Sequence, residues 1–178
     1  MINLFLTLLD TEEEKSKFET LYEKYRKLMH YVAKGILTDD QLAEDAVQEA
    51  FLRIAKNFHK VGEIHCPQTK NFVVIIVRNA ALSLLKKEGA DGSPENIDML
   101  PDSAVSLGDS TFERTEYNQL VEEILRLPEA YRYPLYLYGV YDCRMTEIAH
   151  LLGISTETAK KRVQRARRIL KDNLERGG

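Results

Sequence analysis

Hydrophobic residues in the first half of the chain recur at helical intervals. Phe18, Leu21, Tyr22, Tyr25, Leu28, Met29 and Val32 follow one another three and four apart after a Thr11/Glu14 pair with capping-box spacing. The pattern predicts one amphipathic helix ending near Gly35. Thr38 and Gln41 repeat the capping spacing, and Leu42, Ala46, Val47, Ala50, Phe51 and Ile54 form a second apolar stripe. Glu44, Asp45, Gln48, Glu49 and Arg53 fill the opposite side, which by itself reads as a solvated face. From Phe58 to Lys70 the periodicity lapses around Gly62, His65, Cys66 and Pro67, which predicts a loop. The run Phe72 to Val77 suits a buried strand or a buried helix. Apolar residues continue through Ala80, Ala81, Leu82, Leu84 and Leu85 with no turn residue, so the expectation is one buried helix over 70–87, with Lys86 and Lys87 at its favourable C-terminal end. The apolar opening, Ile2 to Leu9, is either the first turn of the opening helix or part of a partner surface.

In the second half, Tyr117, Leu120, Val121, Ile124 and Leu125 predict a helix stopped by Pro128. Tyr131 to Tyr141 predict another, with Pro134 in its first turn. Thr146 to Leu152 reads as a short helix whose inward residues are Ile148, Ala149 and Leu152. Gly153 then supplies a positive-φ stop and Ser155 an N-cap for the next helix. Two helices joined by a tight glycine turn are the sequence mark of a helix-turn-helix. In the last helix Ala159, Val163, Ala166 and Leu170 make one narrow stripe, and Lys161, Gln164, Arg165 and Arg168 lie opposite. A helix that enters the major groove needs this division, with base-reading side chains near its N-terminus and cations around them for phosphate.

Charge sharpens the division into parts. The 178 residues carry 25 basic and 28 acidic side chains, a net charge of -3, with 44% hydrophobic residues, the composition of a soluble globular protein. Counted along the chain, residues 1–88 carry 13 basic and 13 acidic residues, residues 89–118 carry 1 and 7, and residues 119–178 carry 11 and 8. The acidic stretch also holds Gly89, Gly92, Pro94, Pro101 and Gly108, as a solvated linker does. Lys160 to Lys171 holds seven basic residues and no acid. The expectation is an all-α fold of two small helical domains, 1–88 and 113–178, joined by an acidic flexible linker over 89–112.

At this point the chain resembles the extracytoplasmic-function group of bacterial RNA polymerase sigma factors. Ala43 through Arg53 is similar to their region 2.2, Phe72 through Lys87 to regions 2.3 and 2.4, and Leu127-Pro128 with Glu147-Ile148-Ala149 and Ser155 to Arg167 to region 4. The resemblance implies that Asp45, Gln48, Glu49 and Arg53 contact core polymerase. It implies that Phe72, Arg78, Asn79 and Lys86 serve the minus-ten element, an aromatic face at Phe72 supporting strand opening by stacking on an unpaired base. It implies further that Thr158, Lys160, Lys161, Gln164 and Arg165 meet bases and phosphates of the minus-thirty-five element. Phe72 stands where the family usually has Trp or Tyr, and Ser83 where Asp is frequent. The partners implied are core RNA polymerase, promoter DNA and a sequestering anti-sigma factor. In the family the linker threads the polymerase cleft, where Asp91, Glu95, Asp98, Asp102 and Asp109 would meet basic surface; a solvated tether suits the same residues.

Other readings have less in their favour. A stand-alone helix-turn-helix regulator would bind a palindrome as a homodimer, with half-sites about one helical turn apart. An enzyme would need more than Asp39-Asp40 and the acids of the second helix, and no nucleophile–base set, phosphate loop or metal set accompanies them. His30, His59, His65 and His150 are scattered, and Cys66 and Cys143 complete neither a disulfide framework nor a zinc site. No cofactor, metal or membrane insertion is expected, and no signal peptide is read in the opening segment, which together predict a cytoplasmic protein.

Overall fold

Residues 2–88 and 119–177 are described by a computed structural model, and every element among them is a helix. The expected linker with Asp91, Glu95, Asp98, Asp102 and Asp109, and the helix start at Tyr117, lie outside the described residues, as do the side chains of Leu120 and Val121. The chain forms two units, described separately.

In the N-terminal unit, α1 (Ile2–Leu6) is a short helix of its own rather than the first turn of the next; it places Phe5 in the core and leaves Leu4 exposed, as is Leu8 in the turn that follows. α2 (Glu12–Ile36) starts where expected: Thr11 Oγ1 accepts from Glu14 N at 3.1 Å. α3 (Asp40–Lys56) is capped by Asp39 rather than Thr38, the Asp39 carboxylate accepting from Leu42 N at 3.0 Å. An ion pair of 2.8 Å from Lys34 to Asp40 fastens the end of α2 to the start of α3. Phe18 is fully buried, with its ring 5.9 Å from Phe5, 6.0 Å from Phe51 and 5.5 Å from Phe58. Each such ring contributes about 1.5–3 kcal/mol through burial.

α4 (Pro67–Glu88) settles the strand-or-helix ambiguity in favour of a helix, and it begins three residues before the expected Lys70. Pro67 suits a first turn because its missing N–H has no intrahelical partner there anyway. Asn71 through Arg78 are all buried, since α2 and α3 both pack on this helix. The expected loop before it is pinned to α2: Lys17 Nζ donates to Val61 O and Tyr25 Oη to Ile64 O, each at 2.6 Å, and Lys24 Nζ lies 2.7 Å from His65 Nδ1. A 3-10 turn, Phe58–Lys60, opens that loop.

The C-terminal unit contains α5 (Gln119–Arg126), α6 (Glu129–Gly139), α7 (Met145–Leu152) and α8 (Thr156–Gly177). Pro128 ends one helix and caps the next, its carbonyl accepting from Tyr131 N at 2.9 Å and Arg132 N at 2.8 Å. Because α6 therefore starts at Glu129, Pro134 is its sixth residue and not part of its first turn. Glu147 Oε1 accepts from Arg144 N at 2.9 Å and caps α7, which begins one residue earlier than expected. Gly153 has φ 66°, the left-handed value that glycine adopts without a Cβ penalty. Ile148, Leu151, Leu152, Ala159, Val163 and Ala166 are buried between α7 and α8 and beneath α6. Ile124, Tyr131, Ile169 and Leu170 pack at the edge of Leu127, Leu135 and Ala166.

Candidate nucleic-acid interface

The sequence-predicted residues fall on three helices, and their accessibility separates them. On α3, Ala43, Ala46, Val47 and Ala50 are buried, which turns Glu44, Asp45 and Glu49 outward and leaves Gln48 and Arg53 half-buried. Gln41 Nε2 donates to Asp45 Oδ1 at 3.2 Å, and Arg53 Nε to Glu49 Oε1 at 3.1 Å. The four expected residues thus share one polar face, with net negative charge in its first turns and a cation at its end.

α4 divides its expected residues. Phe72 is 0% and Arg78 1% exposed, so in this structure both side chains lie in the core. For Phe72 the reason is the apolar run Phe72 to Val77, whose six consecutive residues cover every side of that stretch of the helix and are all buried. The open stripe of α4 is Asn79, Leu82, Ser83 and Lys86, spaced three, one and three apart and each half-buried. Asn79 Nδ2 donates to Ile75 O at 2.7 Å, and Ser83 Oγ to Asn79 O at 2.8 Å, so two polar side chains of this stripe are held against the helix backbone.

α8 brings its expected residues together. Ser155 Oγ accepts from Thr158 N at 3.0 Å and donates to Thr158 Oγ1 at 2.8 Å, fixing the start of the helix immediately after the Gly153 turn. Lys160, Lys161, Gln164 and Arg165 are exposed, together with Arg167, Arg168 and Lys171. Two of these cations lie over tyrosines of α6: Arg165 over Tyr131 at 5.5 Å and Arg167 over Tyr138 at 5.9 Å from the ring centroids. Arg162 departs from the run around it, for it is 5% exposed and faces the interior of the unit. Its spacing from Ala159 and Ala166, three and four, carried that signal in the sequence.

This arrangement suits binding to a phosphate backbone and to base edges, the cations supplying sequence-independent attraction and the N-terminal residues of α8 the reading. Among the described residues no group of three His, Cys, Asp or Glu side chains lies together as a metal site would need, and no helix is long and apolar enough to cross a membrane. Cys66 and Cys143 are free thiols.

The family model Sigma-70 region 2 matches residues 21–90, which include α2 to α4, and the model Sigma-70, region 4 matches residues 117–170, which run from α5 into α8. The chain is similar to the ECF RNA polymerase sigma factor SigM of Bacillus subtilis, 27% identical over 166 residues covering 89% of this chain and 97% of that protein. It is also similar to SigW of the same organism, 25% identical over 178 residues and covering 90% of each. Among solved structures, the sigma factor RpoE of Bartonella quintana, crystallised with the anti-sigma factor NepR, matches with 18% identity and a TM-score of 0.37, covering 89% of this chain and 96% of that one.

Proposed function

The chain belongs to the extracytoplasmic-function group of the sigma-70 family, which binds core RNA polymerase and promoter DNA and directs transcription initiation, and from that premise we propose which surfaces do so. The α3 face of Asp45, Gln48, Glu49 and Arg53 docks on core polymerase. The open stripe of α4, with Asn79 and Lys86, meets the minus-ten element, while Phe72 and Arg78 hold that helix in place from within. The start of α8, with Thr158, Lys160, Lys161, Gln164 and Arg165, reads the minus-thirty-five element. The domain limits proposed are 1–88 and 113–178, with the intervening acidic segment as a tether.

One observation carries the assignment. A glycine-turned, serine-capped helix presents Lys160, Lys161, Gln164 and Arg165 to solvent within the segment matched by region 4. The homodimeric regulator is not favoured, because it gives no account of the region 2 match over 21–90. On this reading the protein does no covalent chemistry of its own and works in the cytoplasm, where the polymerase is. A sequestering partner would have to cover the α3 face, the α8 face or both.

The test is run-off transcription with purified chain and bacterial core polymerase on fragments of the source genome. Discrete starts that depend on the chain, fade when Lys161, Gln164 and Arg165 are changed to Ala, and vanish with loss of core binding in D45K/E49K support the reading. Binding of the chain alone to a palindrome, with no polymerase association, overturns it.

A further inference from the structure

Over its first four turns α8 carries one acid, Glu157, among exposed cations, and its position is informative. Glu157 is the second residue of the helix and is exposed. At about 100° per residue it lies within about 40° of Lys161, Gln164 and Arg168 around the axis, on the side away from Ala159, Val163 and Ala166. It therefore sits near the middle of the exposed face, at the end that a helix-turn-helix directs toward base edges. Its carboxylate takes part in no ion pair or hydrogen bond among the described residues, although Lys160 and Lys161 follow at three and four.

A carboxylate on a face that approaches phosphate is repelled unless it meets a donor. In the major groove the donors on base edges are the amino groups of cytosine N4 and adenine N6, and a glutamate side chain pairs with the cytosine amino group. We propose that Glu157 is a specificity-determining residue of the minus-thirty-five contact, accepting a hydrogen bond from a cytosine N4 amino group in the major groove. This rests on the reading that α8 docks on promoter DNA. Lys160 and Lys161 neutralise the approach to phosphate on either side, so the acid lowers affinity for other bases more than it lowers binding as a whole.

The test uses holoenzyme assembled from the full chain and core polymerase, and a promoter library with every base of the minus-thirty-five element varied. Wild-type protein is expected to prefer cytosine, on one strand, at one position by about tenfold. E157A is expected to erase that preference while retaining those at other positions, and E157Q to move it toward adenine, which glutamine reads through N6 and N7. Circular dichroism of each variant reports whether α8 remains helical. An acid at a helix N-terminus also favours the helix dipole, and if that were its whole role E157A would lower initiation equally on every library member, overturning the proposal. Unchanged preferences in E157A overturn it as well. If wild-type holoenzyme shows no base preference in the element at all, the assignment of α8 to promoter reading falls, and this inference falls with it.

Discussion

The guanidinium of Arg165 lies over the ring of Tyr131, 5.5 Å from its centroid, and so joins the exposed face of α8 to the body of α6. The ring is itself partly buried against Leu127, Leu135 and Ala166. A long cation held on a packed ring loses less freedom on meeting a phosphate than one moving in solvent, and the contact itself is worth about 0.5–1 kcal/mol at an exposed site. Tyr131→Leu keeps apolar packing and removes the quadrupole. It is expected to weaken initiation on promoters that depend on the minus-thirty-five element severalfold, while binding to core polymerase, followed by native gel competition, stays unchanged.

Gly153 is strained for any other residue, because its φ of 66° is left-handed. Gly153→Ala is expected to destabilise the C-terminal unit by about 1 kcal/mol, a fall in its unfolding midpoint of about 4–8 °C. Thermal melting of the wild-type and variant chains measures this. An unchanged midpoint means that the turn relaxes without cost.

The burial of Phe72 and the half-exposure of Asn79 predict opposite phenotypes from neighbouring turns of one helix. Phe72→Ala is expected to cost about 3–5 kcal/mol of stability, because it leaves a cavity between α2, α3 and α4. Asn79→Ala is expected to change stability by less than about 1 kcal/mol and to slow promoter opening. Urea unfolding and permanganate footprinting of the melted strand separate the two effects. Full stability in F72A, with opening alone impaired, would return Phe72 to the DNA surface.

Lys34 beside Asp40, chiefly by its hydrogen bond and then by its charge, holds the Asp40 carboxyl below its ordinary value. A carboxyl whose folded value is depressed stabilises the fold above its unfolded value of about 3.9, and that contribution disappears as pH falls through the lower folded value. Asp40→Asn is therefore expected to be slightly less stable than wild type at neutral pH and equal to it in strong acid. Paired urea titrations at pH 7 and pH 2.5 test the difference. An advantage of wild type that persists at the lower pH would exclude the ion pair as its source.

Much of this was legible in the sequence where one periodicity dominated. The stripes of α2, α3 and α8, the Thr11 and Ser155 caps and the Gly153 turn follow from side-chain spacing and from φ preference, both local properties. The start of α4 was harder to see, because Lys17, Lys24 and Tyr25 hold the preceding segment through contacts with residues some forty positions away. Pro128 taken only as a stop puts Pro134 in a first turn, whereas the Pro128 carbonyl also begins the next helix. Family resemblance places Phe72 and Arg78 at DNA, whereas the unbroken apolar run from Phe72 to Val77 argues that this stretch of the helix is buried on every side. Glu157 was hidden by the cations after it, since a count of charge along the chain ignores direction around the axis.

The inward turn of Arg162 changes how the protein should respond to salt. Of the seven basic residues from Lys160 to Lys171, removing Arg162 leaves 7 − 1 = 6 that can displace counterions from DNA. With all six engaged, log affinity would fall with log salt at a slope of about −5. The seventh charge belongs to the folding of the unit, and strong salt that strips the helix from its promoter leaves that charge in place.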